Sequence, residues 1–244
     1  MKNNNQQGNV LFLILIAVAL FAALSFAATQ TLRNSPKDTQ NESQKIRSAE
    51  LTQYPTFIGE AVMRMKFAGI DDSDICFDSD QWPNDDYYHA GCDDPKTNIF
   101  LSTGGGTSWT PPAEGANNGE NWYITGQSCV IGLGKSQDED CNADSTADSE
   151  EIIMFLPNIT RSLCLEINEK LNIRNPGGNP PKASGDLWPS GMPEFAGNFA
   201  DGGRVDSLGS GDVNILAGQS FGCVEGGGNP PAGTYAYFHV LLRR

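Results

Sequence analysis

Asn9-Val10-Leu11-Phe12-Leu13-Ile14-Leu15-Ile16-Ala17-Val18-Ala19-Leu20-Phe21-Ala22-Ala23-Leu24-Ser25-Phe26-Ala27-Ala28 carries no charged side chain, and twelve of its residues are Leu, Ile, Val or Phe. About 20 helical residues at ~1.5 Å each span roughly 30 Å, the hydrocarbon thickness of a bilayer. At roughly 0.3–0.6 kcal/mol per large apolar residue, insertion is favoured by about 4–7 kcal/mol. The stretch predicts a long hydrophobic helix over 9–32, and a chain delivered to or through a membrane. A polar leader, residues 1–8, precedes it, carries Lys2 and ends in Gly8.

Three readings of this terminus compete. A secretory signal would use Lys2 as its charged region and be cut near Ala27, where Ser25 and Ala27 supply the small residues that cleavage needs. A plain anchor would stay uncut. A leader ending in glycine would be cut between Gly8 and Asn9, leaving the apolar helix on the mature chain. The residues beyond the apolar run favour the third. Asp38 to Glu50 is polar and helix-compatible, and Ile58, Val62 and Met65 recur at four and three residues, one face of a helix. Ile46, Leu51 and Tyr54 roughly extend that stripe. Pro36 and Pro55 each suit the first turn of a new helical piece. Residues 33–68 therefore read as an amphipathic helical stalk, and 69–244 as a globular head.

Gln7-Gly8 followed by Val10-Leu11-Phe12-Leu13-Ile14-Leu15-Ile16 resembles the amino terminus of type IV pilin-like proteins, and is most similar to minor pilins and the large minor pseudopilins of type II secretion. The resemblance covers about the first 65 residues. It implies a structural subunit of a bacterial pilus or secretion pseudopilus. A prepilin peptidase would cut after Gly8, and the new terminus at Asn9 would be methylated. Val10, Leu11, Phe12, Leu13, Leu15 and Ile16 would pack against other pilin or pseudopilin subunits. It further implies a single pass through the inner membrane, with Lys2 in the cytoplasm and the head in the periplasm or on an extracellular filament. One departure stands out. Major pilins carry glutamate at the fifth mature position, where this chain has Leu13. An unpaired carboxylate is costly in lipid. Its absence suits a tip, priming or low-abundance subunit better than a repeating one.

The rest of the composition fits export. The formal net charge is −14, which excludes nucleic-acid binding through a general basic surface. Gly and Pro together make 41 residues (27 + 14), so the head is rich in loops. Cys76, Cys92, Cys129, Cys141, Cys164 and Cys223 all follow the apolar segment, are even in number and contain no C-x-x-C pair. They read as disulfides in an oxidising compartment. Fifteen connectivities are open; Cys76–Cys92 and Cys129–Cys141 suit local staples, with Cys164–Cys223 closing the domain. Strand character falls at Ile99–Leu101, Asn121–Thr125, Ser128–Leu133, Ile152–Leu156, Val213–Ala217 and Thr234–Leu242. Ile159, Leu163, Ile167 and Leu171 repeat every four residues and mark a helix. The expected fold class is α+β: a long amino-terminal helix continuing into an amphipathic one, packed on a small antiparallel sheet with disulfide-stapled loops.

Catalytic motifs do not assemble, and no enzyme is expected. Gly218-Gln219-Ser220-Phe221-Gly222 fits a nucleophile elbow, but Cys223 to Pro230 cannot form the helix that must come next. Gly134-Lys135-Ser136 lacks the earlier glycine of a phosphate loop. The one cofactor candidate is calcium. Asp138, Asp140, Asn142 and Asp144 place oxygen ligands at alternate positions; Ala143 replaces the turn glycine, and the competing reading is a solvated acidic loop. Asp71, Asp72, Asp74, Asp78 and Asp80 form a second oxygen-rich cluster. The alternative function is a secreted or periplasmic disulfide-rich binding domain, released by cleavage near Ala27.

Overall fold

A computed structural model of the chain describes residues 7–32, 36–80, 87–134, 150–200, 202–206 and 214–244. The chain divides into two compact units, Met1–Ser43 and Gln44–Arg244. The smaller holds helix α1, Gln7–Leu32. Helix α2, Pro36–Phe67, starts in the smaller unit and is built into the larger from Gln44 onward. Pro36 is its first residue, where a missing N–H costs nothing. Pro55, expected to begin a new piece, lies inside the helix and is buried. The hydroxyls of Ser48, Thr52 and Thr56 turn back onto the carbonyls of Lys45, Ser48 and Thr52 around it.

The larger unit is organised by a five-stranded sheet in the order β3-β1-β2-β5-β4. Its strands are β1 Tyr123–Val130, β2 Glu151–Leu156, β3 Gly203–Val205, β4 Phe221–Glu225 and β5 Tyr235–Leu242. β2 is central and buried along its whole length. Its alternation sorts two cores. Ile152, Met154 and Leu156 join Leu51, Ile58, Val62 and Met65 of α2, and Leu163 and Ile167 of helix α3, Arg161–Lys170. Ile153 and Phe155 join Leu187, Trp188 and Leu216 on the opposite face. Each buried Leu, Ile or Phe contributes about 1.5–3 kcal/mol, so neither face of the sheet is left for water. α3 begins at Thr160, whose hydroxyl accepts the Leu163 N–H, as a cap should.

Loops complete the unit. Cys76–Cys92 and Cys164–Cys223 are disulfides, as the spacing favours. Cys129 is also disulfide-bonded; its expected partner Cys141 lies outside the described residues. Cys76–Cys92 ties together two 3₁₀ turns, Asp72–Asp74 and Ala90–Asp93, near the end of α2. Ile99–Leu101, expected as a strand, is a turn beside a single bridge between Cys76 and Asn98. The described part of Val213–Ala217 is likewise a turn.

The expected fold class is corrected on four points. The sheet is mixed, because β3 pairs with β1 in parallel, Ser128 to Gly203 and Val130 to Val205. α1 and α2 are separate helices ending at Leu32 and starting at Pro36, and Pro36 has no N–H with which to continue an earlier ladder. Among the described residues, no helix is long and apolar enough to cross a membrane. Nor do the described side chains of α2 form one clean stripe: the buried apolar ones begin at Leu51, while Ile46, Phe57, Met63 and Phe67 are exposed.

Candidate functional site

Two surfaces carry more than structural weight. The first is α1. Phe12, Leu13, Ile14, Leu15, Ile16, Val18, Leu20, Phe21, Leu24 and Phe26 are all exposed, from 41% for Ile16 to 75% for Phe21. Successive positions turn by about 100°, so these side chains surround the helix rather than striping it. Of the six expected packing residues, Phe12, Leu13, Leu15 and Ile16 stand on this surface; the side chains of Val10 and Leu11 lie outside the described ones. Gly8 and Asn9, the expected processing pair, fall in the first turn of α1.

The second surface is a groove of about 990 Å³ beside the carboxy-terminal half of α2. Thr56, Gly59, Glu60, Met63 and Phe67 line one side, and Ser220, Phe221, His239 and Leu241 the other. At Gly59 α2 packs against β5, where a Cβ would make ordinary van der Waals contact with the Leu241 backbone at 3.7 Å. Arg64, Lys66 and Arg243 complete the lining. The sequence does not reveal this groove, because its two walls lie far apart along the chain. Only the exposed apolar positions of α2, which break its inward stripe, mark one wall.

His239 sits on the groove floor, stacked on Phe221 with ring centroids 5.2 Å apart. The Tyr237 hydroxyl lies 2.9 Å from His239 Nδ1. Tyr237 is fully buried, and burial pushes its phenol well above the ordinary range, so it keeps its hydrogen. If Nδ1 were the donor, that hydrogen would be stranded in the core at a cost of about 1–3 kcal/mol. Tyr237 therefore donates, Nδ1 accepts, and Nε2 carries the ring hydrogen. Burial lowers the His239 pKa to about 4, which keeps the ring neutral. The Ser220 hydroxyl accepts from the Arg243 guanidinium, and its carbonyl accepts the Val240 N–H at 2.7 Å. The elbow pattern is a turn leading into β4.

The acidic candidates divide. Asp138, Asp140, Asn142 and Asp144 lie outside the described residues. In the second cluster, Asp72 pairs with Lys66 and Arg244, while Asp78 and Asp80 line a polar recess with Trp109. Among the described residues, no group of three His, Cys, Asp or Glu could hold a metal ion. Gly134 of the phosphate-loop fragment takes φ +59° and lies against Glu151 and the Arg244 carbonyl; Lys135 and Ser136 lie outside the described residues. Nothing in the sequence singles out Glu151. It is fully buried; its Oε2 accepts the Val130 N–H at 2.9 Å, and among the described residues its Oε1 has no hydrogen-bond partner.

No family model matches the chain, and no match to a curated protein or to a solved structure was found.

Proposed function

We propose that this chain is a structural, pilin-like subunit, cut by a prepilin peptidase after Gly8 and assembled with related subunits through its apolar amino-terminal segment. The observation that carries the reading is the surface of α1, apolar around its circumference, with nothing among the described residues of its own unit to cover it. Apolar area of that extent is stable in water only when buried. Equivalent helices of neighbouring subunits supply that cover in a filament. Leu13, at the fifth mature position, adds one more uncharged contact and suits a minor or priming subunit. The disulfides are compatible with a periplasmic or extracellular location. The head then makes contacts beyond the fibre and performs no bond-making chemistry.

A second reading is favoured by one observation: the larger unit has both sheet faces covered without α1. It would be a released periplasmic or secreted binding domain. Mass spectrometry of the mature protein from its native host separates the two. A terminus at Asn9, methylated, supports the subunit. A terminus near Ala28 overturns it and leaves the released domain. Replacing Gly8 by a bulky residue (Gly8→Phe) stops processing in the first case and leaves a secretory cut untouched.

A further inference from the structure

The groove beside α2 plays no part in the assembly reading. Its exposed apolar side chains are Met63, Phe67 and Phe221. Three cations, Arg64, Lys66 and Arg243, line it against one carboxylate, Glu60. This is a local excess of positive charge on a chain whose formal net charge is −14. Lys66 is paired with Asp72. Arg64 instead donates to the Gly105 carbonyl at 2.9 Å, and Arg243 to the Ser220 hydroxyl. Both acceptors are neutral, and among the described residues neither guanidinium forms an ion pair. His239, also lining the groove, offers the hydrogen on Nε2.

We infer that the groove binds a single-chain anionic amphiphile, with its carboxylate held by Arg243 and the His239 Nε2–H and its hydrocarbon chain laid along Met63, Phe67 and Phe221. The volume of about 990 Å³ lies at the top of the range of roughly 300–1,000 Å³ typical of small-ligand sites. The lining also fits that chemistry: apolar walls, few polar groups, and the two arginines among the charged ones. A peptide is the poorer occupant. Its backbone N–H and C=O groups would need partners along the whole groove. Among the described residues, the lining side chains beyond His239 and the charged ones offer only the hydroxyls of Thr56 and Ser220; the first is already bonded to the Thr52 carbonyl and the second to Arg243.

The test is calorimetric titration of the full chain with straight-chain carboxylates of increasing length, each below its micelle concentration, alongside the matching alcohols. Each added methylene should tighten binding about 4-fold until the groove is filled. The acid should exceed the alcohol by about 10-fold or more, since hydrogen bonds to a charged group are the strong ones. Arg243→Gln should remove that preference while leaving the alcohol affinity in place. Met63→Glu, at an exposed helix position, should weaken acids at least 10-fold. Circular dichroism checks that both variants remain folded. Three outcomes overturn the inference: no saturable binding, equal affinity for acid and alcohol, or binding unchanged in Met63→Glu, which would place the ligand elsewhere, α1 included. Displacement of the bound carboxylate by a short acidic peptide of equal affinity would likewise assign the groove to a protein partner.

Discussion

Glu151 and His239 are buried titratable groups that act on stability in opposite directions. Burial lifts the Glu151 carboxyl from 4.5 to about 8, with the neighbouring Glu150 adding to the rise and the Val130 N–H and Arg243 opposing it. Between those values the folded chain keeps a proton that the unfolded chain has released, so stability falls as pH rises from about 4.5 to 8. Glu151→Gln keeps an acceptor for Val130 and removes the linkage. Its urea midpoint should vary less over that window, and its unfolding free energy at pH 8 should exceed the parent's by on the order of a few kcal/mol. His239 works the other way. Burial lowers it from 6.5 to about 4, so the fold excludes a proton that the unfolded chain accepts. Stability therefore falls as pH drops through that window. His239→Gln, which can still accept from Tyr237, should reduce the acid-side loss. Urea midpoints of the two variants from pH 4 to 9 check both slopes; a Glu151→Gln variant that follows the parent curve above pH 6 would show that Glu151 is ionised in the fold.

β4 shows how a sheet edge is closed by side chains. Cys223 turns its N–H and C=O outward, and the Asn168 amide takes both, accepting at 2.9 Å and donating at 2.9 Å. Farther along, Glu225 exchanges bonds with Pro181 and Ala183. An edge so covered offers little for another chain to pair with. Asn168→Ala strands two buried main-chain groups and should cost about 2–4 kcal/mol. The urea midpoint should fall with an unchanged slope, and amide exchange at Phe221–Glu225 should quicken. None of this was legible in the sequence. Phe221-Gly-Cys-Val-Glu is short and holds a glycine, and its strand state comes from pairing with β5 and from Asn168. β3 is only three residues long, and Gly203 fits there because a Cβ would stand 2.4 Å from the Leu187 carbonyl oxygen. Ile152–Leu156, Ile159–Leu171 and Thr234–Leu242 were legible because the apolar pattern alone fixes such elements. The Gly/Pro-rich stretch 175–192 reads as a loop and is one, yet it supplies Ala183, Leu187 and Trp188 to the second core. Periodicity cannot reveal a loop that packs. The groove was hidden for a related reason, since the register of β5 against β4 sets Phe221 beside His239.

The whole chain couples a stapled head to an uncovered apolar helix, and the two halves should respond to different perturbations. In the head, Cys164–Cys223 closes 59 residues and Cys76–Cys92 closes 16. Loop-closure entropy makes the longer staple worth about 1 kcal/mol more. The Cys164→Ala/Cys223→Ala pair should therefore lose that much more stability than Cys76→Ala/Cys92→Ala, as read from urea midpoints. Assembly belongs to the other half. A chain beginning at Gln44 keeps Leu51, Ile58, Val62 and Met65 of α2, and with them both covered faces of the sheet. It should sediment as a monomer and unfold within about 0.5 kcal/mol of the full chain, because residues outside the core rarely move stability further. The full chain should sediment as larger species that detergent disperses. Leu13→Asp or Phe21→Asp should disperse them without detergent, since a charge in an apolar helix contact has no partner there. Their urea midpoints should match the parent's, as neither residue belongs to the head's core clusters. A Leu13→Asp chain that sediments like the parent would show that the α1 surface is not where subunits meet.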